Sequence, residues 1–217
     1  MTTILTEGYR LADILRQELD GFSREDVTLA AGEIFALCAV VGKMERGAPV
    51  VAPGASNVGT GALSDMELGQ ATEIGAYSLT CISSNANAGT FAVFTPSGLR
   101  LADAVAGTPY VSPHLAFTLS DGETDFTVGD VFTVTVPAGS GKYQLLAPDA
   151  VDGTQHAAGI TIAAYDAGLA DVRGVIVNGP AKVFGELLAW PDGITDTQLS
   201  NALADLAALG IKTCTGV

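Results

Sequence analysis

Two joints rich in small residues, glycine and proline constrain the fold of this chain more than any other feature. They are residues 47–61 (GAPVVAPGASNVGTG) and 137–141 (PAGSG), and both have the composition of loops. The stretch from 47 to 141 carries one base, Arg100, and eight acids, whereas its flanks hold nine of the ten bases. An exposed hairpin tip accepts an inserted module because the two chain ends already lie close together there. The sequence therefore predicts a host domain interrupted by a second module.

The middle segment has the pattern of a β domain. Its clearest strand lies within residues 125–136, where Phe132, Val134 and Val136 alternate with threonines, the period-2 pattern of a strand with one wet face. Further β-branched or aromatic stretches are predicted as strands at 76–83, 90–95 and 114–120. Residues 44–141 are therefore predicted to form an inserted all-β, sandwich-like domain.

The flanks are predicted to form one discontinuous domain of short strands with one helix near the C-terminal end. The strand candidates are 27–29, 34–41, 143–146, 159–164 and 172–177. The helix is predicted over 195–209, because Thr195 and Gln198 match a capping box and Gly210 follows as a C-cap. A second helix is predicted over 9–19, with a mobile arm as the alternative. The fold class predicted is mainly β.

Composition restricts the function. Hydrophobic residues make up 48% and charged residues 16%, with mean hydropathy +0.37, so a subunit that hides surface in partner contacts is expected. The longest apolar run, residues 34–41, is far shorter than the ~20 residues of a membrane helix. A net charge of −14 disfavours nucleic acid and anionic membranes as partners. The N-terminal residues have no secretory pattern, and Cys38, Cys81 and Cys214 are interpreted as free thiols.

Catalytic and metal motifs are incomplete. Residues 139–142 end like a phosphate-binding loop, but its first glycine and its hydroxyl residue are missing. His114 and His156 are interpreted as solvated histidines at a strand edge and in a turn, with a catalytic role as the alternative. The acids at 121–130 fit a solvated hairpin, with a calcium site as the alternative. No catalytic residue, metal site or cofactor is predicted, and the chain is not expected to be an enzyme.

The single tryptophan is the candidate contact residue. Trp190 and Pro191 stand before a Pro-Asp-Gly turn, where the tryptophan is interpreted as a core aromatic at a strand end. The functional alternative is an interface anchor, because a lone tryptophan buries a large area and suits binding hot spots.

Several motifs of the flanks resemble, in order and spacing, the phage head decoration protein family. They are ILRQELDGFSREDVTLAAG at 14–32, VVGK at 40–43, KY at 142–143, DGTQHAAGI at 152–160, ELLAWP at 186–191 and LGI at 209–211. The resemblance covers residues 14–43 and 142–212, which are assigned, with the chain to 217, to a discontinuous decoration domain. The inserted module departs from the family pattern.

The resemblance implies a β-clip-like host fold and a non-enzymatic function in capsid stabilisation. It implies homotrimers at the threefold sites of the expanded head, bound to the major capsid protein on the outer surface of the virion and resisting the pressure of packaged DNA. It also implies that an N-terminal arm, residues 1–13 here, pairs with capsid strands. Position and chemistry select Ile4, Leu5 and Tyr9 as the contact residues of that arm.

A second function of a different class follows from the insert. Residues 44–141 could recognise glycans or a host surface, with the flanks acting as a tether to the virion. Deletion of residues 47–141 distinguishes the two functions, because it abolishes shell binding only if binding resides in the insert.

Overall fold

The structure is a computed structural model that describes residues 9–19, 21–86 and 88–215. It is mainly β with a helix near the C-terminal end, which confirms the predicted fold class. The chain divides into two compact units, residues 1–45 with 141–217 (unit 1) and residues 46–140 (unit 2). That unit 2 is an inserted module remains a prediction. The helices of the described ranges are all too short or too polar to cross a bilayer.

The elements are numbered in chain order within these ranges. Unit 1 contains α1 (Leu11–Ile14), β1 (Leu15–Glu18), β2 (Arg24–Leu29), β3 (Ile34–Phe35), β4 (Val40–Lys43), β13 (Tyr143–Leu145), β14 (Ala157–Thr161), β15 (Tyr165–Asp166), β16 (Val172–Val177), β17 (Ala181–Phe184), α2 (Asp196–Ala208) and β18 (Ile211–Cys214). Unit 2 contains β5 (Val50–Pro53), β6 (Ala62–Leu68), β7 (Gly75–Ser83), β8 (Thr90–Phe94), β9 (Ala104–Val105), β10 (Pro109–Val111), β11 (Leu115–Ser120) and β12 (Val131–Val136). A short 3₁₀ turn, Gly185–Leu187, follows β17.

Unit 1 is built on a closed barrel of five strands in the order β13-β2-β16-β14-β4. Neighbouring strands are antiparallel except β13 and β2. Leu29, Phe35, Val41 and Ile176 are fully buried in its core. A separate three-stranded sheet has the order β1-β17-β18, and β3 pairs with β15. The closed barrel has no edge strand. In the smaller sheet, by contrast, β1 and β18 are the two edge strands.

Helix α2 begins and ends as predicted. The Thr195 hydroxyl accepts from the Gln198 backbone N–H, and the Gln198 side chain accepts from the Thr195 N–H, so the capping box is formed. Gly210 follows the helix with φ +84°, a left-handed conformation that favours glycine. Ala202 and Leu206 are buried in a second core with Ile14, Val183 and Ile211, which ties the helix to the three-stranded sheet.

The helix predicted over 9–19 is wrong for most of its length, because only residues 11–14 are helical. At Leu15 the backbone turns extended (φ −84°, ψ 103°), and β1 pairs antiparallel with β17. The apolar spacing that favoured a helix places Leu11, Ile14 and Leu15 on the second core. Pairing with β17 at the sheet edge therefore outweighs the local apolar periodicity, which is only weak evidence for a helix.

The strand predicted over 34–41 is broken into β3 and β4. Between them Cys38 adopts φ +56°, which a strand does not contain. The Thr161 hydroxyl donates to Ala36 O at 2.8 Å and accepts from Ala39 N–H at 2.9 Å, so the buried connection keeps its polar groups satisfied. Cys38 and Cys81 are buried and Cys214 is half-buried.

Unit 2 consists of two antiparallel sheets, β5-β12-β7-β8-β9 and β10-β11-β6. Both sheets contribute buried side chains to one core, so the unit is a sandwich. The largest of these side chains come from β7, β8, β11 and β12, and from the loop before β12: Tyr77, Leu79, Phe91, Leu115, Leu119, Phe126 and Phe132.

Two boundaries predicted for unit 2 were wrong. Residues 47–61, predicted as a loop throughout, contain β5, which pairs with β12 from Val50 to Pro53. The strand predicted over 125–136 begins only at Val131, because residues 127–130 form a turn around the buried Asp130. The sequence of 125–130 has strand-like composition, but its chain direction is fixed by hydrogen bonds to that carboxylate.

Candidate functional site

The candidate contact surface lies on the three-stranded sheet, which the N-terminal segment enters. Tyr9 is 65% exposed, whereas Ile4 and Leu5 lie outside the described residues. The Asp13 carboxylate accepts from the Arg10 backbone N–H at 2.8 Å and starts α1. Ile14 is the first described residue with a buried side chain. The segment is thus attached to unit 1 at Ile14, and the predicted role of Ile4, Leu5 and Tyr9 in capsid contact remains a prediction.

The turn between β1 and β2 is fixed by Ser23, whose side chain is fully buried. The Ser23 hydroxyl accepts from Leu19 N–H at 2.8 Å and donates to Pro180 O at 2.5 Å. Arg24 binds the Glu18 carboxylate through two nitrogens at 2.6 and 2.7 Å. These contacts hold β1 on β17 while Leu19 and Phe22 stay 56% and 79% exposed.

The two faces of the three-stranded sheet differ in character. Val183 and Ile211 point into the second core, and their neighbours Lys182 and Lys212 are exposed on the outer face. The register pairs Lys182 with Lys212 on β18 and with Gln17 on β1. The Arg16 guanidinium lies over the Phe184 ring, 5.2 Å from its centroid, at the distance of a cation–π contact. The outer face is therefore basic in a strongly acidic chain.

Trp190 lies between the core and the surface. It is half-buried against the second core, and its Nε1–H donates to Gly185 O at 3.0 Å. It also lines a groove of about 360 Å³ together with Leu199, Leu203 and Cys214. Pro191 is half-buried and opens the turn before α2, where its carbonyl accepts from Ile194 N–H. An interface role for Trp190 and Pro191 stays a prediction.

The leucines of α2 and its C-cap, at positions 199, 203, 206 and 209, recur every three to four residues and lie in two environments. Leu206 is fully buried and Leu209 packs on the second core. Leu199 and Leu203 instead line the groove beside Trp190. Spacing of three to four residues correctly places these leucines near one face, but it does not distinguish buried positions from those at the margin of the core.

The two histidines belong to different units and each has a structural partner. In unit 2, His114 Nδ1 lies 3.3 Å from the Tyr77 hydroxyl, with the rings edge to face. In unit 1, the Asp205 carboxylate accepts from Ala157 N–H at 3.0 Å and lies 3.3 Å from Nδ1 of the exposed His156. Both side chains serve to fix loop ends on neighbouring elements.

Among the acids of residues 121–130, Asp130 is buried and binds both its own turn and the distant loop at residues 58–59. It accepts from the N–H groups of Val58, Gly59 and Thr127 at 2.8, 2.9 and 3.0 Å. Burial raises the pKa of Asp130, but these donors and the Thr127 hydroxyl outweigh it, so the pKa lies below its usual value. Within the described ranges, no three acidic, histidine or cysteine side chains are grouped as metal ligands.

Charge runs in the sequence do not reveal the basic sheet face, because Arg16, Lys182 and Lys212 are far apart in the chain. Only the register of β1, β17 and β18 brings them together. An Arg or Lys inside each of three short strands is the signal that could have found this face, had β1, β17 and β18 been predicted as strands.

These observations define a mainly β protein whose buried polar side chains serve the fold and whose exposed sheet face is free for contacts. The chain matches the model of one family, bacteriophage lambda head decoration protein D, over residues 4–211. The chain belongs to this family, and it is a phage head decoration protein associated with the capsid. The family is structural. The matched range is wider than the two segments that carried the resemblance.

The other comparisons add nothing to this assignment. No curated protein matches the chain in sequence. Solved structures with a partial likeness include FlgL of Xanthomonas campestris in two crystal forms, at 18% and 19% identity, each with a TM-score of 0.33. The flagellar junction protein FlgL from Legionella pneumophila has 16% identity and a TM-score of 0.32.

The alignments with these flagellar proteins cover 48%, 49% and 48% of this chain. This chain spans about a third of their length, 32%, 32% and 37% respectively. At such TM-scores the likeness carries no argument about fold or function.

Proposed function

We propose that this protein is a capsid cement protein that binds the expanded phage head as a homotrimer at its threefold sites. The family match over residues 4–211 carries this proposal. In this function each trimer bridges neighbouring copies of the major capsid protein on the outer surface of the head. The bridges oppose the outward pressure of packaged DNA, and no chemical step is involved.

The surface of unit 1 supports a function in protein contact. Large apolar side chains are exposed on separate elements: Phe22 at 79%, Ile34 at 70% and Leu169 fully. Exposed apolar side chains combined with few charges are typical of surfaces that become covered in an assembly. The net charge of −14 gives electrostatic repulsion from nucleic acid, so the protein avoids the genome while it binds the shell.

The N-terminal segment is the proposed capsid arm. Residues 1–13 lead into α1 and β1, so an extended arm would continue from an edge of the three-stranded sheet. Main-chain hydrogen bonds supply affinity when an extended segment adds to a sheet, and Ile4, Leu5 and Tyr9 would supply apolar contacts.

Co-sedimentation with capsids tests the proposal. Purified protein is mixed with expanded, undecorated capsids of its own phage, and with unexpanded precursors as the control. Saturable pelleting with expanded shells, near one copy per capsid subunit, is expected, because expansion completes the threefold sites. Equal binding to both shells, or binding to neither, contradicts the proposal.

Oligomeric state is measured in parallel on capsid-bound protein. Chemical crosslinking on decorated shells is expected to yield a species of three 22.0 kDa chains, 66 kDa together. Crosslinked species limited to dimers would contradict the trimer.

A further inference from the structure

The strongest unassigned feature of unit 1 is the basic outer face of the β1-β17-β18 sheet. Lys182 and Lys212 lie directly opposite each other on adjacent parallel strands, and Arg16 lies on β1 beside them. Neighbouring strands are about 4.8 Å apart, and like charges placed opposite one another are destabilising. The chain has ten basic residues against 24 acidic ones, so this grouping runs against its composition.

Neither of the two lysines forms an ion pair with a residue that the structure describes. Among the described residues, the carboxylates in ion pairs bind Arg24, Arg100, Lys142 and His156. Glu18, the acid nearest the face on β1, is held by Arg24 through both oxygens. Lys182 and Lys212 are therefore available to carboxylates of another molecule.

The face also has an apolar component with a concave shape. A depression of about 250 Å³ is lined by apolar Leu19, Pro180 and Ala181, by Lys182 and Lys212, and by Gln17, Gly210 and the Arg24-bound Glu18. Leu19 is 56% exposed, and Phe22, on the same turn fixed by Ser23, is 79% exposed. Apolar contact area with charges at its rim is the usual anatomy of a protein interface.

We infer that this basic face binds an acidic, extended segment of the major capsid protein. The inference rests on the proposed function, since it names the chemistry of the capsid surface that this protein meets. Two ammonium groups beside an apolar depression complement a segment with carboxylates next to an apolar side chain. The position of the basic face favours the capsid protein as the source of this acidic segment, because the proposed capsid arm enters the same sheet through β1.

Charge reversal tests the inference. The double variant Lys182→Glu/Lys212→Glu is compared with wild type in pelleting with expanded capsids. We expect the affinity to fall roughly tenfold or more, since two attractive contacts become repulsive. The wild-type affinity should also fall as NaCl is raised from about 50 to about 500 mM, whereas the variant should show little salt dependence.

The matched control is Lys43→Glu/Arg173→Glu, which changes the net charge equally but on β4 and β16. It should bind like wild type. An equal loss in both double variants means that net charge alone governs binding and overturns the inference. The neutral variant Lys182→Gln/Lys212→Gln should show an intermediate loss of affinity and an unchanged circular dichroism spectrum. This result would show that the loss follows the charge of the two side chains and is not caused by misfolding.

Carbodiimide crosslinking of decorated capsids identifies the partner, because it joins lysine amines to carboxylates in direct contact. Links from Lys182 or Lys212 to acidic residues of the capsid protein support the inference. Links to carboxylates of this chain assign the face to contacts between copies and overturn it, as does the absence of links.

Failure of the inference and failure of the proposed function remain distinguishable. If wild type pellets and the reversed variant pellets equally well, the function stands and the basic face is not its docking surface. If wild type does not pellet, the proposed function fails and the inference fails with it.

Discussion

At the scale of single residues, buried carboxylates and hydroxyls decide where the strands stop. Asp130 shows this most clearly, because its two oxygens bind N–H groups from two segments, at Val58 and Gly59 and at Thr127. A buried donor left without an acceptor costs more free energy than the hydrogen bond itself contributes. The carboxylate therefore stabilises the loops at this end of the unit 2 sandwich.

Asp130→Ala should lower the free energy of unfolding of unit 2 by about 2–4 kcal/mol at neutral pH, because three backbone donors lose their acceptor. Since Trp190 and three of the five tyrosines are in unit 1, unfolding of unit 2 in a urea titration is followed by NMR signals of its own backbone amides. Glu123→Ala, at an exposed position of the same loop, is the control. A loss below about 0.5 kcal/mol would contradict the assigned role.

The same carboxylate should give unit 2 an acid-dependent stability. Its folded pKa is depressed, so its contribution is fully present above the unfolded value of about 3.9 and is lost as the pH falls through the lower folded value. The stability difference between wild type and Asp130→Asn should therefore shrink on acidification below about pH 4. A difference that stays constant to pH 2, about two units below the unfolded value, would contradict the assignment.

At the scale of elements, some features are determined by residues close together in sequence and others by pairing with distant strands. The capping box of α2 and its C-cap glycine involve residues three or four apart, and the sequence predicts them correctly. The limits of β1 and β5 depend on pairing with β17 and β12, which lie about 80 residues or more away, and there local patterns mispredict a helix and a loop. The basic face cannot be predicted from local sequence for the same reason, because the register of β1, β17 and β18 brings its residues together.

The capping interaction can be measured at this scale. Thr195→Ala should cost unit 1 about 1 kcal/mol, because one N–H at the start of α2 loses its acceptor. Trp190, the single tryptophan, lines the groove beside Leu199 and Leu203 of this helix, so its fluorescence reports unfolding of unit 1. Thr197→Ala, an exposed position in the first turn, should change stability by less than half as much. Equal effects of the two substitutions would argue against a capping role.

At the scale of the whole molecule, the two units are joined where β4 and β13 form an antiparallel pair. Met44 N–H donates to Lys142 O at 2.9 Å, and Gly141 N–H donates to Met44 O at 3.0 Å. The ends of the unit 1 segments are therefore held together by bonds within unit 1 itself. This geometry agrees with the prediction that unit 2 is an insertion, because an insertion is tolerated where the two chain ends already lie close together.

Replacing residues 46–140 with Asn-Gly should leave unit 1 folded and bound to expanded capsids, because a two-residue turn can close the hairpin between β4 and β13. Trp190 fluorescence and capsid pelleting measure the two properties. A folded deletion variant that no longer pellets would place the capsid-binding function in unit 2. That outcome would contradict the assignment of capsid contacts to unit 1.

The hydrogen bonds where the chain passes between the two units also bear on the order in which the units can fold. Unit 2 is continuous in sequence, and it holds its own ends together through the Gly47 N–H bond to Pro137 O at 2.9 Å and the bridge between Arg46 and Ala138. Once it has folded, β4 and β13 no longer close a flexible loop of about a hundred residues, and the entropic cost of their pairing falls by about 3 kcal/mol. Folding of unit 2 before unit 1 would thereby make closure of the unit 1 barrel easier.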